Sequence, residues 1–265
     1  MNLENAVRPW KLADTNYGTV KQHDYEVAVL PLGATEPHNL HLPYGIDTLE
    51  GDLVGEKICE AASQQGAKVV LLPTVPYGTQ TNQMKFPFAM NLNPSTLQAV
   101  ITDLVDSLVQ HGILKIVLLN GHGGNEVKPV LRELYGKTPA QLFLCNWYAI
   151  FDDVYDEIFQ RRDDHAGEME TSLALAYWPE LVGRNPDGTL TADDGDRAAS
   201  RFEAVNRGWV SITRPWHLLT TNAGAANPHA AAADKGRRLI EVLVDRLAPF
   251  LVELSQSELD ERFPY

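Results

Sequence analysis

Histidine and acidic side chains are concentrated in three short, glycine-containing stretches of this 265-residue chain, at 33–48, 120–125 and 164–172. They read GATEPHNLHLPYGIDT, NGHGGN and DHAGEMETS. Imidazole and carboxylate groups at this density indicate a site that binds a cation or transfers protons. The candidate functional residues of the three stretches are Glu36, His38, Asp47, His122, Asp164, His165 and Glu170.

The residue types favour a transition-metal site. Imidazole together with carboxylate suits zinc, manganese or iron, whereas ligand sets made only of oxygen suit magnesium or calcium. Glu36 and His38 are two positions apart, so an extended loop can point both into one site. Asp47 has two carboxylate oxygens and is able to bridge two ions, as dinuclear hydrolytic sites commonly require.

Each stretch taken alone also has a simpler interpretation. Glu36 and His38 could belong to a solvated loop, and His165 could merely precede a helix. The second stretch could be a glycine-rich turn that binds an anion through backbone N–H groups. It lacks the Gly-Lys-Ser/Thr ending of a P-loop and the spacing of GxGxxG. The occurrence of all three stretches together is what favours a metal centre.

The segments between these stretches have the patterns of alternating strands and helices. Continuous apolar runs are typical of strands buried on both faces, and apolar residues at helical spacing predict the helices between them. The predicted strands are 26–33, 68–73, 115–120 and 140–145, and the predicted helices are 47–64, 93–112, one from about 126, 166–182 and 230–254.

This alternation predicts an α/β fold, namely a single three-layer domain over residues 1–265 with a mostly parallel sheet flanked by helices. Ligands bind at the carboxyl ends of the strands in such sheets. All three polar stretches follow predicted strands, so we expect their side chains to meet at one edge. Residues 184–228 are polar and rich in glycine, asparagine and aspartate, which predicts a loop or lid.

Composition is that of an ordinary globular protein, with 44% hydrophobic and 22% charged residues. The formal net charge of −13 disfavours nucleic acid as a partner, because such a surface repels the phosphate backbone. No apolar run approaches the ~20 residues of a membrane span, and no signal peptide is visible. We therefore expect a cytoplasmic protein that has no membrane partner and acts on a small molecule.

Four segments resemble motifs of the creatininase (creatinine amidohydrolase) family. Residues 33–47 are similar to its opening motif, G-x-x-E-x-H-G-x-H-L-P-x-x-T-D, and residues 121–125 to its second. Residues 165–172 resemble the third, and residues 227–236 resemble the C-terminal motif G-D-P-x-x-A-T-x-x-K-G. The motifs occur in the same order over roughly residues 24–240, nearly the whole chain.

The resemblance implies two divalent ions per chain, with Zn²⁺ preferred and Mn²⁺ or Fe²⁺ as alternatives. It implies His165 as the general acid that protonates a departing nitrogen, Asp164 as the acid that supports it, and His41 as a residue that orients a ligand carboxylate. It also implies a homo-oligomer, expected to be a hexamer. The implied ligands are Glu36 and His122 for one ion, His38 and Glu170 for the other, and Asp47 as the bridge.

The second motif differs from that of creatininase itself, which resembles G-H-Y-E-N and includes a glutamate ligand. Gly124 stands at that position here, so the last ligand must come from elsewhere. Glu170 is the best replacement and Glu168 the alternative. The two side chains are separated by about 200° around a helix, so only one of them can face the site. The G-H-G-G-N form is closer to other branches, which include formamide deformylases and peptide-cleaving members.

Together these patterns predict a metal-dependent amidohydrolase that cleaves an amide, cyclic amide or formamide C–N bond of a small molecule. Metal-activated water would attack the carbonyl carbon, and His165 would protonate the nitrogen. A metal-dependent isomerase or lyase for a sugar or cyclitol is one alternative, because a fold does not decide function. A non-catalytic metal-binding scaffold is the other, but such a scaffold would not need His165.

Overall fold

Four parallel strands lie side by side in the computed structural model of the chain, which describes residues 8–162 and 164–265. All four predicted strands are confirmed. Their bounds are β1 Val27–Leu32, β2 Val69–Leu71, β3 Lys115–Asn120 and β4 Gln141–Asn146. They form a sheet of order β2–β1–β3–β4, in which Val27 of β1 lies opposite Val69 of β2 and Lys115 of β3.

Both faces of β1 are buried, which explains why its sequence is apolar without interruption. Val27 and Val29 pack into one apolar cluster, whereas Ala28 and Leu30 pack into another. Successive side chains of a strand point to opposite faces, so a strand between two helical layers needs apolar residues at every position.

Helices cover the two faces, and the predicted three-layer α/β architecture is confirmed. α2, α6 and α9 pack on the face of Val27, and α3 and α4 on the face of Ala28. No helix of the described residues is both long and apolar enough to cross a membrane. The bounds are α1 Tyr17–Val20, α2 Ile46–Gln64, α3 Pro94–Gln110, α4 Lys128–Leu134, α5 Tyr155–Ile158, α6 Glu168–Tyr177, α7 Glu203–Asn206, α8 Trp216–Leu219 and α9 Ala233–Gln256.

The helix predicted at 166–182 is shorter than expected at both ends. Ala166 has φ 54, a left-handed conformation that a right-handed helix cannot contain, so α6 begins at Glu168. α6 ends at Tyr177, and Pro179 then begins a separate 3-10 turn. Proline ends the helix because it has no N–H to donate to the preceding turn.

Residues 184–228 contain only α7 and α8 as helices and are otherwise mostly irregular. Both ends of this excursion are hydrogen-bonded to loops that carry site candidates. Gly183 N–H donates to the carbonyl of His41 at 2.7 Å, and Ala225 N–H donates to the carbonyl of His165 at 2.9 Å. Its function as a lid and the assignment of residues 1–265 to one domain remain predictions.

A close contact between α6 and α9 fixes the helix that carries Glu170. Gly236, in the first turn of α9, lies directly against the backbone of Ser172 in α6. A Cβ atom at position 236 would come within 2.3 Å of the Ser172 carbonyl oxygen. Leu173 and Leu239 are fully buried in the same layer, so the helices have little room to separate.

We expect Gly236→Ala to lower the free energy of unfolding by about 1–3 kcal/mol, because the added methyl group must push α9 away from α6. Urea unfolding followed by circular dichroism measures this loss. Gly51→Ala is the matched control: it also lies within a helix, its new Cβ makes contacts no closer than 3.5 Å, and it should leave stability unchanged or raised. Wild-type stability of Gly236→Ala would contradict the tight helix contact.

Candidate metal centre and active-site cavity

The five predicted metal ligands lie together at the carboxyl edge of the sheet. The loop after β1 carries Glu36 and His38, the loop after β3 carries His122, and the first turns of α2 and α6 carry Asp47 and Glu170. None of the five residues is more than 9% exposed. Parallel strands therefore deliver them to the edge where α/β proteins bind ligands.

Glu36, Asp47 and His122 form one compact group. Nδ1 of His122 lies 3.2 Å from Oε1 of Glu36 and 3.3 Å from Oδ2 of Asp47. Its other nitrogen, Nε2, donates to the carbonyl of Thr79 at 3.0 Å. This contact keeps a proton on Nε2, so Nδ1 is the nitrogen available to a metal ion. The three facing atoms could hold one cation.

His38, Asp47 and Glu170 form a second group that shares Asp47. Nε2 of His38 lies 3.2 Å from Oδ1 of Asp47 and 3.7 Å from Oε1 of Glu170. Nδ1 of His38 donates to the carbonyl of Glu36 at 3.1 Å, and Oε2 of Glu170 accepts a hydrogen bond from Ala166 N–H. Asp47 thus presents a different carboxylate oxygen to each group.

In both groups, contacts between histidine and carboxylate favour the charged forms of these side chains although they are buried. Burial opposes charge on His38, but Asp47 and then Glu170 raise the pKa of His38 well above its ordinary value. Burial likewise opposes charge on His122, whereas Glu36 and Asp47 raise its pKa well above the ordinary value. Burial disfavours an ionised Asp47, yet the two histidines hold its pKa below the usual range. The carboxylates therefore favour positive charge among them, as protons or as metal ions.

Three atoms of these groups have no hydrogen-bond partner within the described residues. They are Oε1 of Glu36, Nε2 of His38 and Oδ2 of Asp47. A buried polar atom without a partner costs about 1–3 kcal/mol, and a charged one costs more. Bound cations would satisfy all three, so the donor set, the burial and the unpartnered atoms fit a metal centre.

His165 lies against both groups. Its ring lies against that of His38, tilted by 34° with centroids 4.0 Å apart, and its Nδ1 is 3.5 Å from Oε1 of Glu36. Its Nε2 donates to the carbonyl of Pro37 at 2.9 Å. Glu36, His38 and His165 also form a third group with the spacing of metal ligands. The position of His165 is therefore compatible with proton transfer or with ligation.

The carboxylate of Asp164 is bound by two arginines of the excursion, Arg197 at 2.8 Å and Arg214 at 2.5 Å. Burial would raise the pKa of Asp164, but Arg214 and then Arg197 hold it below the usual value. The guanidinium of Arg214 lies 5.3 Å from the centroid of the Trp216 ring, which packs edge-on against His165 at 4.8 Å. The predicted support of His165 by Asp164 would therefore run through Arg214 and Trp216.

Two further residues of the motifs face other partners. Burial lowers the pKa of His41 to about 4, which keeps its ring neutral, and its Nε2 meets Oγ1 of Thr171 at 2.7 Å. His41 thus contacts a hydroxyl group instead of the ligand carboxylate expected from the sequence. Glu168, which is buried, forms an ion pair with the partly exposed Lys235. Of the two candidate glutamates, Glu170 is the one that faces the centre.

A cavity of about 380 Å³ opens onto the centre. His122 and Glu170 line it on the side of the metal-ligand candidates, and Tyr148 and Arg162 line it elsewhere. Trp147, also in its wall, is 1% exposed, and its Nε1 has no hydrogen-bond partner among the described residues. An indole nitrogen can only donate, so this N–H group is a buried donor in the wall of the cavity.

The sequence analysis missed the segment 77–92, which supports the centre from outside. Gln83 donates from Nε2 to Oε2 of Glu36 at 2.7 Å, and Thr79 accepts from His122. Glutamine and threonine in a polar segment give no signal of such a role. Trp147 and Trp216 were also missed, although Trp147 directly follows β4, the position where ligand-binding residues are expected.

Fold and site together define a class: a parallel three-layer α/β protein with a buried imidazole–carboxylate centre at its strand ends. The family profile described as creatinine amidohydrolase matches residues 13–251. The chain therefore belongs to the creatininase family of metal-dependent amidohydrolases.

Relatives of this chain are named for different substrates. Creatinine amidohydrolase of Pseudomonas putida is 30% identical over 247 residues, which cover 86% of this chain and 89% of that protein. Mycofactocin precursor peptide peptidase of Mycobacterium ulcerans is 27% identical over 221 residues, 82% of this chain and 81% of that protein. 3-Dehydro-scyllo-inosose hydrolase of Thermotoga maritima is 24% identical over 255 residues, 90% and 79% of the two chains.

Solved structures share the fold. A Bacteroides fragilis protein assigned as a creatinine amidohydrolase is 36% identical, with a TM-score of 0.86, and the match covers 95% of this chain and 98% of that one. A creatininase variant of the Zn–Zn type has a TM-score of 0.72 at 24% identity over 93% and 98% of the chains. A manganese creatininase has a TM-score of 0.69 at 22% identity over 94% and 99%.

We expect Glu170→Gln to weaken Zn²⁺ binding at least about 10-fold, because loss of even an outer partner of a metal ligand has an effect of that size. Titration of Zn²⁺ into metal-free protein measures it. Glu168→Gln is the matched control, since it removes a charge two residues away that faces Lys235, and it should change stability but not zinc affinity. The reverse result would transfer the ligand assignment to Glu168.

Proposed function

We propose that the chain is an amidohydrolase that uses two divalent ions to cleave an amide, cyclic amide or formamide C–N bond of a small molecule. The observation that carries this proposal is the carboxylate of Asp47. Its Oδ2 lies 3.3 Å from Nδ1 of His122 and its Oδ1 lies 3.2 Å from Nε2 of His38. One aspartate between two histidine-containing groups is the arrangement that a pair of bridged ions requires.

The donor set supports zinc, with manganese or iron as alternatives, because each group combines one imidazole with carboxylates. One ion would be held by Glu36, Asp47 and His122, and the other by His38, Asp47 and Glu170. Three carboxylates would offset most of the charge of two divalent ions. Such ions, when bound, lower the pKa of water and polarise a carbonyl oxygen.

The chain's own residues would then bind and protonate the substrate. The cavity of about 380 Å³ lies within the size range of small-molecule sites. The backbone N–H groups around Gly123, which lines the cavity, are candidate donors to a substrate oxygen. His165, next to Glu36 and His38, would deliver a proton to the departing nitrogen.

A substrate derived from a cyclitol is the second candidate, because one relative is named as a hydrolase of 3-dehydro-scyllo-inosose. Isomerisation or elimination of such a molecule could use the same metal ligands and His165. A metal-binding scaffold without activity is less well supported, since the cavity adjoins His165 and a buried, unpartnered indole N–H. We also propose a cytoplasmic location and a hexameric assembly. Assembly is supported by exposed apolar side chains of the excursion, which a subunit contact would bury, namely Phe202, Trp209, Val210, Ile212 and Leu218.

We expect about two Zn²⁺ ions per chain after gel filtration of metal-loaded protein, and we expect Asp47→Ala to lose both because the two groups share this residue. Elemental analysis measures the content. Asp52→Ala, on the same helix but bonded to Thr74, is the control and should keep both ions. A wild-type content near zero that added Zn²⁺ or Mn²⁺ cannot raise would refute the proposed centre.

The reaction class is tested with metal-loaded protein and a panel of formamides, cyclic amides, lactams and cyclitol derivatives in isotope-labelled water. Hydrolysis predicts that the masses of the products add up to the mass of the substrate plus one water, and that the label enters the product that carries the former carbonyl carbon. A product of the same mass as the substrate would instead establish an isomerase, and loss of water would establish a lyase.

We expect His165→Ala to keep both ions and the fold but to lose turnover by about 10²–10⁴-fold, the usual contribution of a general acid. Rates with substrates that have better leaving groups should fall less, because these groups need less protonation. Elemental analysis and steady-state kinetics separate the alternatives. Loss of an ion would make His165 a ligand, as the third metal-ligand group allows, and an unchanged rate would make the third motif structural.

A further inference from the structure

We infer that Gln83 is a positioning residue for only one half of the metal centre, the half formed by Glu36, Asp47 and His122. This inference rests on the proposed function, because it concerns the same centre. Gln83 and Thr79 are hydrogen-bonded to Glu36 and His122, the two ligands that are unique to this half. The other half, with His38 and Glu170, is held by different parts of the chain.

Gln83 determines which oxygen of Glu36 faces the centre. It is 2% exposed, and its Nε2 donates to Oε2 of Glu36 at 2.7 Å. With Oε2 occupied, Oε1 is directed inward, 3.2 Å from Nδ1 of His122, and it has no hydrogen-bond partner among the described residues. A neutral amide is suited to this task, because it stabilises an ionised carboxylate without adding a charge that would repel a cation.

The same segment also orients His122. The carbonyl of Thr79 accepts from Nε2 of His122 at 3.0 Å, and the Thr79 N–H donates to Oδ1 of Asn125 at 3.0 Å. Thr79 is thereby attached to the loop that carries His122, and the proton on Nε2 leaves Nδ1 for the metal. Outer partners of this kind fix the orientation and tautomer of a metal-binding histidine.

Among the described residues, the hydrogen bonds that orient the ligands of the second half come from outside the segment 79–83. His38 donates from Nδ1 to the backbone carbonyl of Glu36, and Glu170 accepts from the backbone N–H of Ala166. Both contacts are with backbone groups of the ligands' own loops. Loss of the Gln83 side chain should therefore weaken the binding of one ion and leave the binding of the other unchanged. The two sites should then differ in their affinity for metal.

The experiment is titration of Zn²⁺ into metal-free wild-type, Gln83→Ala, Gln83→His and Gln80→Ala proteins, with Co²⁺ absorption spectra as a second readout. Gln83→Ala should keep one tight ion and bind the second about 10–100-fold more weakly, the effect typical of a lost outer partner. The Co²⁺ spectrum should then show one of two bands at low metal concentration. Gln83→His has a similar reach and retains an N–H donor, so it should restore most of the lost affinity.

Gln80→Ala is the matched control for the packing of the segment. Gln80 is equally buried and donates to the carbonyls of Thr35 and Met90, but in these contacts it bonds to backbone and to no proposed ligand. It should keep both zinc affinities. If Gln83→Ala fails to fold by circular dichroism, Gln83→Met replaces it: it is similar in size and has no N–H donor, so it should also weaken the binding of one ion.

Three results would overturn the inference. Gln83→Ala could bind two ions with wild-type affinities, it could lose both ions equally, or Gln80→Ala could lose the same single ion. Failure of the wild-type protein to bind two ions is a different outcome, because it would refute the proposed function itself.

Discussion

Ionised carboxylates buried beside two histidines are the interaction on which the arrangement of this protein depends. Glu36, Asp47 and Glu170 are nearly excluded from water, where an isolated carboxylate would take up a proton. Contact with His38 and His122 keeps the pKa of Asp47 low and raises the pKa of both rings. The buried carboxylates therefore favour positive charge inside the centre, and a pair of divalent ions would supply it.

Two helix N-termini supply part of this positive charge before any ion binds. Asp47 and Glu170 lie in the first turns of α2 and α6, where the free N–H groups of a helix stabilise negative charge by typically 0.3–1 kcal/mol. Each proposed ligand other than Asp47 has a further partner on an atom that faces away from the centre. Such partners reduce the disorder that a metal ion or substrate would otherwise have to remove on binding.

The side of the cavity that would meet the substrate comes from other elements than the proposed ligands. Trp147 and Tyr148 follow β4, and Arg162 and Asp164 precede α6. Asp164 in turn is bound by two arginines of the excursion. Loops on a constant scaffold can change substrate without changing metal chemistry. This division agrees with relatives that share the family but are named for a creatinine, a peptide and an inosose.

The sequence by itself determined the strands, the parallel three-layer architecture and the meeting of the polar stretches at one edge. These features follow from local apolar patterns and from the direction of parallel strands, so neighbouring residues contain the necessary information. Tertiary structure alone decided that Glu170 rather than Glu168 faces the centre, because Lys235 from α9 binds Glu168. It also decided the roles open to Gln83 and Trp216, because their partners Glu36 and His165 lie 47 and 51 residues away in the chain.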